Sequence, residues 1–148
     1  MSAHKLLLFR TGGRVFAVDA GAVREILPAA PSTRIPGAPA AVRGLANVRG
    51  TLVTVVDAAA AIGIGDAAAA PAADGSGILV LIERMAQPVG LAVDEVLDLA
   101  TVDDAGLEAG GTDELPGARP EVIAATGSAG EVRFAQLRTD ALLGPLLG

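Results

Sequence analysis

Apolar residues along this chain fall into short runs separated by turn signals, a pattern typical of β-strands. Lys5–Arg10 is an apolar run and Arg14–Val18 alternates apolar and polar residues, with Thr11-Gly12-Gly13 between them as a hairpin turn. Thr51–Asp57 has the strongest strand pattern, and Ile78–Glu83 is continuously apolar, as in a buried strand. Three further runs are predicted to be strands: Val89–Val93, Val122–Thr126 and Val132–Leu137.

Helical patterns in the sequence are short. Over Ala20–Leu27, three apolar residues recur at i, i+3 and i+4, which predicts a helix with Asp19 as its N-cap. Asp57 is expected to cap a short helical turn. A C-terminal helix is predicted over Thr139–Leu147, and the Gly-Pro pair inside it is expected to limit its length.

Other segments interrupt these patterns. Gly63–Gly77 contains Gly, Ala, Pro and Asp without periodicity, which indicates a boundary between two lobes. Asp103–Pro120 is acidic and rich in Gly and Pro, and it is predicted to be a long loop. Val42–Val48 is mixed, with a glycine in it, and Asp94–Leu99 fits either a helix or a strand.

Many short strands with Gly and Pro turns predict a mainly β fold built from two small barrels. Lobe one is predicted to span residues 1–70 and lobe two residues 71–148. A weak internal sequence similarity agrees with two related lobes. Phe16–Asp19 and Leu91–Asp94 both follow a hairpin-like turn, and both precede a segment rich in Val and Leu.

Composition limits the chemistry that the chain can perform. Its 148 residues are 51% hydrophobic but only 2% aromatic, so the sequence offers no aromatic platform on which nucleic-acid bases could stack. The absence of Cys excludes disulfides and thiolate ligands. The sequence has neither a signal peptide nor an apolar run of the ~20 residues that span a bilayer, which predicts a cytoplasmic protein.

Charge is unevenly distributed along the chain. Residues 1–72 carry a net charge of +3 and the remainder −9, within a total of −6. This asymmetry fits two surfaces with different partners. It fits equally well with acidic loops that keep an Ala-rich protein in solution.

Candidate catalytic and metal-binding residues are few. His4 is the lone histidine, in a segment expected to fray, without the supporting groups that a Ser-His-Asp site needs. None of the acidic groups has the spacing of an EF-hand loop, and no glycine-rich phosphate motif is present. We predict no enzyme, no cofactor and no metal. The acidic groups are Asp94, Glu95 and Asp98, then Asp103-Asp104, then Asp113-Glu114.

Glu25, on the predicted helix, and Arg49, at a tight turn, are expected to form an ion pair that fixes the helix on the barrel. Removing one partner would lower the free energy of unfolding by about 3–5 kcal/mol if the pair is buried, and by ~0–1 kcal/mol if it is exposed. Gly44, Gly50 and Gly90 lie in or beside strand patterns, where glycine implies a bulge, a positive φ or a close backbone approach. A turn explains Gly50. For Gly44 and Gly90, a role in a docking surface is also consistent with the sequence.

The segment Val42–Asp57 (VRGLANVRGTLVTVVD) resembles the signature of the CheW-like domain family. That signature reads approximately V-x-G-hydrophobic-x-N-hydrophobic-R-G, followed by an apolar strand that ends in Asp. The resemblance extends over nearly the whole chain, through the opening hairpin Leu7–Asp19, the V-x-E-I segment Val23–Ile26, the loop Thr33–Pro39 and the strand motif Val89–Val96.

The resemblance implies two SH3-like five-stranded lobes with short connecting and C-terminal helices, acting as a non-catalytic adaptor in a chemotaxis-like two-component pathway. Family members link the cytoplasmic tip of a chemoreceptor (a methyl-accepting chemotaxis protein) to the regulatory domain of a CheA-type histidine kinase. They reach the membrane only through receptor arrays and bind no nucleic acid. By position, the resemblance assigns receptor binding to Val23, Glu25, Gly44 and Arg49, kinase binding to Gly50 and Gly90, and structural roles to Asn47, Asp57 and Asp94.

Two other functions stay open at this point: a small-molecule-binding or hydrolytic β-barrel that uses the acidic second lobe, and a free-standing dimerisation module. The chain also departs from the family pattern at Thr54, where Pro is usual, and at Ala58-Ala59. Arg133 and Gln136 interrupt the closing strand, Glu131–Leu137. These departures make lobe two less typical, and they fit a specialised paralogue that serves a pathway other than flagellar chemotaxis.

Overall fold

The computed structural model describes residues 3–65, 77–109 and 117–147, which form two β-sheets and two short α-helices. In chain order the strands are β1 (Ala3–Thr11), β2 (Arg14–Asp19), β3 (Val23–Pro28), β4 (Val42–Val48), β5 (Thr51–Asp57), β6 (Ile78–Arg84), β7 (Gln87–Val93), β8 (Glu95–Asp103), β9 (Leu107–Ala109), β10 (Ile123–Ala129) and β11 (Val132–Leu137). The helices are α1 (Ala58–Ile62), which follows β5, and α2 (Thr139–Leu147), which follows β11.

The two sheets have equivalent strand orders, β8-β1-β2-β11-β10-β9 in the first and β3-β6-β7-β5-β4 in the second. The parallel pair is β2–β11 in one sheet and β5–β7 in the other. The hairpin β1–β2 therefore occupies in the first sheet the place that β6–β7 occupies in the second, and each sheet takes strands from both sides of residue 70. The predicted mainly β, two-lobed fold is confirmed, with a sixth strand in the first sheet. The predicted boundary at residues 70 and 71 lies outside the described residues and stays a prediction.

The hydrophobic core has three parts, because the central hairpins are buried on both faces. Along β1, Leu6 and Leu8 point into the interior of the first sheet, while Leu7 and Phe9 point into the core between the sheets. Phe9 packs there with Phe16, with ring centroids 6.3 Å apart. A smaller cluster fills the interior of the second sheet and consists of Ala46, Val55, Leu79 and Ala92.

The predicted helix over Ala20–Leu27 is wrong. Only Ala20–Ala22 is helical, as a 3-10 turn that Asp19 caps by accepting from the Gly21 N–H at 3.0 Å, and the chain then continues as β3. Because β3 pairs with the buried β6, sheet pairing outweighs the helical spacing of three apolar residues. The register of this pair shifts between Val23 and Glu25. Burial alternates along β3, but Glu25 takes a half-buried position and Ile26 an exposed one, so the sequence does not show the alternation by which a strand is recognised.

Other local predictions are confirmed or corrected by the strand pairing. The β1–β2 hairpin forms at the predicted turn, and Asp57 caps α1. Val42–Val48 is one continuous strand with a register shift between Val42 and Gly44. Asp94–Leu99, which fits either element by sequence, leads into β8, which pairs with β1. The closing strand β11 keeps Phe134, Ala135 and Leu137 buried despite its polar residues.

The C-terminal half contains more regular structure than its sequence predicts. The predicted loop Asp103–Pro120 includes β9 and a 3-10 turn at Asp104–Gly106, while residues 110–116, with the pair Asp113-Glu114, lie outside the described residues. Helix α2 continues through Pro145 to Leu147. The proline lies in the last turn, so the helix loses only one hydrogen bond. None of the helices formed by the described residues is long and apolar enough to cross a membrane.

Candidate functional site

The turn between β4 and β5 presents Arg49 to solvent. Val48 pairs with Thr51, so Arg49 and Gly50 form a two-residue loop, with φ values of +51° and +84°. Positive φ at both positions is the signature of a type I′ turn. Asn47 accepts a hydrogen bond from the Gly50 N–H at 2.8 Å, which stabilises the turn from outside. The sequence N-V-R-G thus builds a tight turn whose first loop residue is a cation.

Glu25 comes from the opposite edge of the same sheet and forms an ion pair with Arg49. The predicted pair is confirmed, although Glu25 lies on a strand rather than on a helix. Because β3 and β4 are the two edge strands, the contact means that the second sheet curls on itself. The side chains of Arg49 and Glu25 are 66% and 37% exposed, so the pair belongs to the exposed class worth about 0–1 kcal/mol. Its position therefore fits recognition better than stabilisation.

The pair forms part of the rim of a cleft of about 170 Å³ at the open end of the second sheet, here named the Arg49 cleft. Its charged rim consists of Arg24, Glu25 and Arg49, and its apolar floor includes Val53, Leu81 and Pro88. Arg24 is also 4.0 Å from Glu83 across the β3–β6 pair. A charged rim over an apolar floor is the usual construction of a protein-binding patch.

Gly90 lies beneath this floor. It is buried in β7, and a Cβ built on it would lie 3.3 Å from Val53 Cγ1 and 3.5 Å from Leu81 Cδ2. A larger residue would push both side chains, and with them the floor of the Arg49 cleft. Gly50, the other residue assigned to kinase binding, is exposed, with no atom within 4 Å of a built Cβ.

Val23 and Gly44 do not line the Arg49 cleft. Val23 is half-buried and packs against the core between the sheets. Gly44 is buried at φ +145°, and a Cβ built on it would lie 2.0 Å from the Thr33 carbonyl oxygen. Thr33 approaches so closely because it exchanges two backbone hydrogen bonds, both 2.8 Å, with Leu45. Close backbone approach, rather than an open docking surface, explains the glycine.

A buried ion pair joins Arg43 to Asp57, with side-chain exposures of 12% and 4%. Asp57 Oδ2 accepts from Arg43 Nε at 3.0 Å and from Nη2, while Oδ1 accepts from the Ala60 N–H at 2.9 Å as the cap of α1. The register shift in β4 falls at Arg43, and such a bulge re-aims one side chain. The sequence did not single out Arg43. Its only signal is a lone charge inside an apolar strand.

Asp94 holds two hairpins together at the end of β7. Its carboxylate accepts from the Gly12 N–H at 3.2 Å, and its own N–H donates to the Arg10 carbonyl at 2.9 Å. Next to it, Glu95 forms an exposed ion pair with Arg10. The cluster of acidic residues in this region is thus engaged in structural contacts. No group of three or more His, Asp or Glu residues that could hold a metal is present among the described residues.

Sequence reasoning also missed a second depression, next to the Arg49 cleft, that is lined by both apolar and polar side chains. We name this depression of about 410 Å³ the Leu52 groove, and its lining includes Leu52, Arg84, Met85, Pro88, Val89 and Leu147. Leu52 and Met85 are 64% and 76% exposed, which is unusual for large apolar side chains. Pro88 lines both depressions, so the two surfaces are contiguous.

His4, the lone histidine, pairs with Asp104. Both side chains are well exposed; His4 lies on β1 and Asp104 on the 3-10 turn after β8, which are different elements from those that line the Arg49 cleft and the Leu52 groove. Among the described residues, the candidate site contains charged and apolar side chains but no histidine. This arrangement is suited to binding a protein surface.

Comparison with protein families and known proteins gives a consistent result. A family model described as the CheW-like domain matches residues 5–143. The chain is 38% identical over 105 residues to "Chemotaxis protein CheW" of Rhizobium meliloti (strain 1021), a match that spans 71% of this chain and 65% of the relative. It is 36% identical over 91 residues to "Protein PilI" of Pseudomonas aeruginosa, over 62% of this chain and 49% of the relative. The chain therefore covers less than two thirds of these relatives' own lengths.

The fold also matches a solved structure. The crystal structure of the scaffolding protein TtCheW from Thermoanaerobacter tengcongensis superposes with a TM-score of 0.79, covering 97% of this chain and 89% of that chain at 20% sequence identity. At this identity the likeness concerns the two-sheet fold.

Proposed function

The chain belongs to the CheW-like domain family, whose model covers nearly its whole length, and we propose that it is a non-catalytic adaptor that couples chemoreceptors to a CheA-type histidine kinase. The observation that carries this proposal is the pair of contiguous surfaces on the second sheet. A charged cleft and an apolar groove that share Pro88 give one small lobe two different binding faces. The family and the relatives' names support the same class of function.

The Arg49 cleft is proposed to bind the cytoplasmic tip of the receptor. Glu25 and Arg49 are exposed enough to exchange their mutual contact for contacts with a partner, because their pair contributes little to stability. The apolar floor beneath them supplies the buried contact area that rim charges alone do not provide. Val23 and Gly44, also assigned to the receptor by position, would act indirectly, by holding β3 and β4 in place.

The Leu52 groove is proposed to bind the regulatory domain of the kinase. Its exposed Leu52 and Met85 offer the aliphatic surface that protein interfaces bury. Gly50 lies two residues before Leu52, in the turn at the start of the same strand. Gly90 would act from below, since a side chain there disturbs Val53 and Leu81.

Replacing Arg49 with alanine is expected to weaken binding of a receptor signalling-tip fragment about tenfold, while changing the free energy of unfolding by no more than about 1 kcal/mol. The reason is that the side chain is 66% exposed and contributes to the rim of the cleft rather than to the core. Isothermal titration calorimetry with the fragment, alongside chemical denaturation, measures both quantities.

Arg10→Ala is the matched control for Arg49→Ala, because it breaks another exposed ion pair, with Glu95, on the first sheet. Arg10→Ala should leave receptor binding unchanged. Equal binding by the wild type and Arg49→Ala would contradict the role of the cleft. An equal loss in both variants would point to general electrostatics instead.

Replacing Leu52 with serine is expected to weaken binding to the full-length kinase about tenfold, with little effect on stability. The side chain is already 64% exposed, so the folded protein loses little buried area when it is removed. Leu99→Ser is the matched control, since Leu99 is 57% exposed on β8 of the other sheet. Surface plasmon resonance with immobilised kinase compares them, and equal affinities for both variants would exclude the Leu52 groove as the kinase surface.

A further inference from the structure

We propose that Arg84 makes the Leu52 groove selective for a carboxylate, so that the kinase surface docked there presents an Asp or Glu side chain surrounded by aliphatic residues. This inference rests on the proposed function, since it specifies the chemistry of the partner at the same groove. It depends on the charge of Arg84, on the side chains around it and on the geometry of the turn that follows it.

Arg84 ends β6 and pairs with Gln87, so that Met85 and Ala86 form a two-residue turn with φ values of +52° and +64°. Non-glycine residues at both positions of such a turn carry conformational strain. The strained conformation holds Met85 76% exposed, and both Met85 and Arg84 line the groove. The turn thus places a long apolar side chain and a cation next to each other.

Within the described part of the chain, the guanidinium of Arg84 has no ion-pair partner. Its Nε is buried and has no hydrogen-bond partner, and no carboxylate lies within ion-pair distance of it among the described residues. A Cβ built on Gly144 would lie 3.6 Å from Arg84 Nη2, so the head group lies beside the last turn of α2. A helix C-terminus compensates a cation only in part. A partly desolvated guanidinium in an apolar frame is therefore complementary to a carboxylate that arrives with a partner.

The surroundings favour an acidic protein surface over a polyanion. Arg84 is the only charged residue in the described lining of the groove, which otherwise consists of five apolar residues and the uncharged polar residues Thr54 and Gln87. Phosphate-rich ligands are bound by several cations together, whereas a lone arginine among apolar side chains matches one carboxylate in an aliphatic patch. The planar guanidinium fork binds a carboxylate through two parallel hydrogen bonds, which makes the contact directional.

The test measures binding of the full-length kinase to the wild type and to Arg84→Met, at low and at high salt, by calorimetry. Methionine keeps an apolar side chain of similar length and removes the charge. We expect Arg84→Met to bind about tenfold more weakly at low salt and to lose most of the salt dependence seen with the wild type. Arg10→Met, which removes a charge from the first sheet, is the control and should keep wild-type kinase binding.

Melting temperature and self-association distinguish carboxylate binding by Arg84 from a structural role and from a dimer contact. Arg84→Met should melt at or above the wild-type temperature, because it removes a partly desolvated charge that has no ion-pair partner among the described residues. A clear fall in melting temperature would overturn the proposal in favour of a structural role.

Wild-type kinase affinity and salt dependence in Arg84→Met would overturn it while the adaptor function stands. No kinase binding by the wild type would overturn both. Dimers of the wild type that Arg84→Met abolishes in sedimentation would identify a second copy of this chain as the occupant instead.

Discussion

Replacing Asp57 with alanine is expected to lower the free energy of unfolding by about 5 kcal/mol. The substitution leaves Arg43 buried without its partner, and removing one member of a buried pair costs about 3–5 kcal/mol. It also removes the N-cap of α1, which adds about 1 kcal/mol. Because small domains are stable by only about 5–15 kcal/mol, this loss is a large share of the total. Denaturation in urea, followed by circular dichroism, measures it.

Two further variants separate the loss of stability in Asp57→Ala into the contribution of the ion pair and the contribution of the helix cap. Asp57→Asn keeps a side-chain acceptor for the Ala60 N–H and removes the negative charge, so its cost should be smaller than that of Asp57→Ala. The double variant Arg43→Met with Asp57→Ala should be less destabilised than the sum of its single variants, because no buried charge remains unpaired. Asp19→Ala removes an exposed cap and serves as the control, at about 1 kcal/mol or less. Wild-type stability in Asp57→Ala would show that the buried pair contributes nothing.

Features fixed by a few consecutive residues could be predicted from the sequence. The hairpin turn before β2, the N-V-R-G turn and the cap of α1 depend on local backbone geometry and on side chains within three residues. The Glu25–Arg49 pair is a long-range contact. It was predicted from two opposite charges, one on a predicted helix and one at a tight turn, and the pair forms although Glu25 lies on a strand.

Features that depend on distant pairing could not be predicted. The segment after Asp19 has helical spacing, but β6 lies beside it and turns it into a strand. The exchange of hairpins between the sheets follows from pairings across more than seventy residues, such as β1 with β8. Arg43 and the Leu52 groove could not be predicted for the same reason. A bulge decides where one side chain points, and the curl of a sheet decides which apolar residues stay exposed.

Residues assigned to receptor binding and residues assigned to kinase binding are neighbours in the second sheet. Gly90, assigned to the kinase, lies under the floor of the cleft proposed for the receptor, and Pro88 lines both surfaces. A side chain that shifts in one surface therefore has direct neighbours in the other. Under the proposed function, such contact is a physical route by which a change at the receptor surface reaches the kinase surface. It also means that a loss of binding in a variant needs a stability measurement beside it.

Gly44→Ala is the variant in which a loss of stability is most easily mistaken for a direct loss of binding. We expect it to destabilise the fold by about 4 kcal/mol or more. A Cβ at this position would overlap the Thr33 carbonyl oxygen at 2.0 Å and approach Arg34 Cα at 2.9 Å, and neither backbone atom can move without breaking the hydrogen bonds to Leu45. The φ of +145° adds strain for any residue with a side chain. Receptor binding should fall only as far as the folded population falls.

Gly50→Ala serves to separate the two causes of the expected loss of stability in Gly44→Ala, which are the steric overlap with Thr33 and the backbone strain of a positive φ. Gly50 also has a positive φ, of +84°, but nothing lies within 4 Å of a built Cβ. Its substitution should therefore cost only about 1–2 kcal/mol, which is the strain of a left-handed conformation for a residue with a side chain. Urea denaturation of both variants gives the difference, which belongs to the contact with Thr33. If the two variants lose equal stability, the contact is not what requires glycine at position 44. If folded Gly44→Ala fails to bind the receptor fragment, Gly44 acts at the interface itself, as the family resemblance first implied.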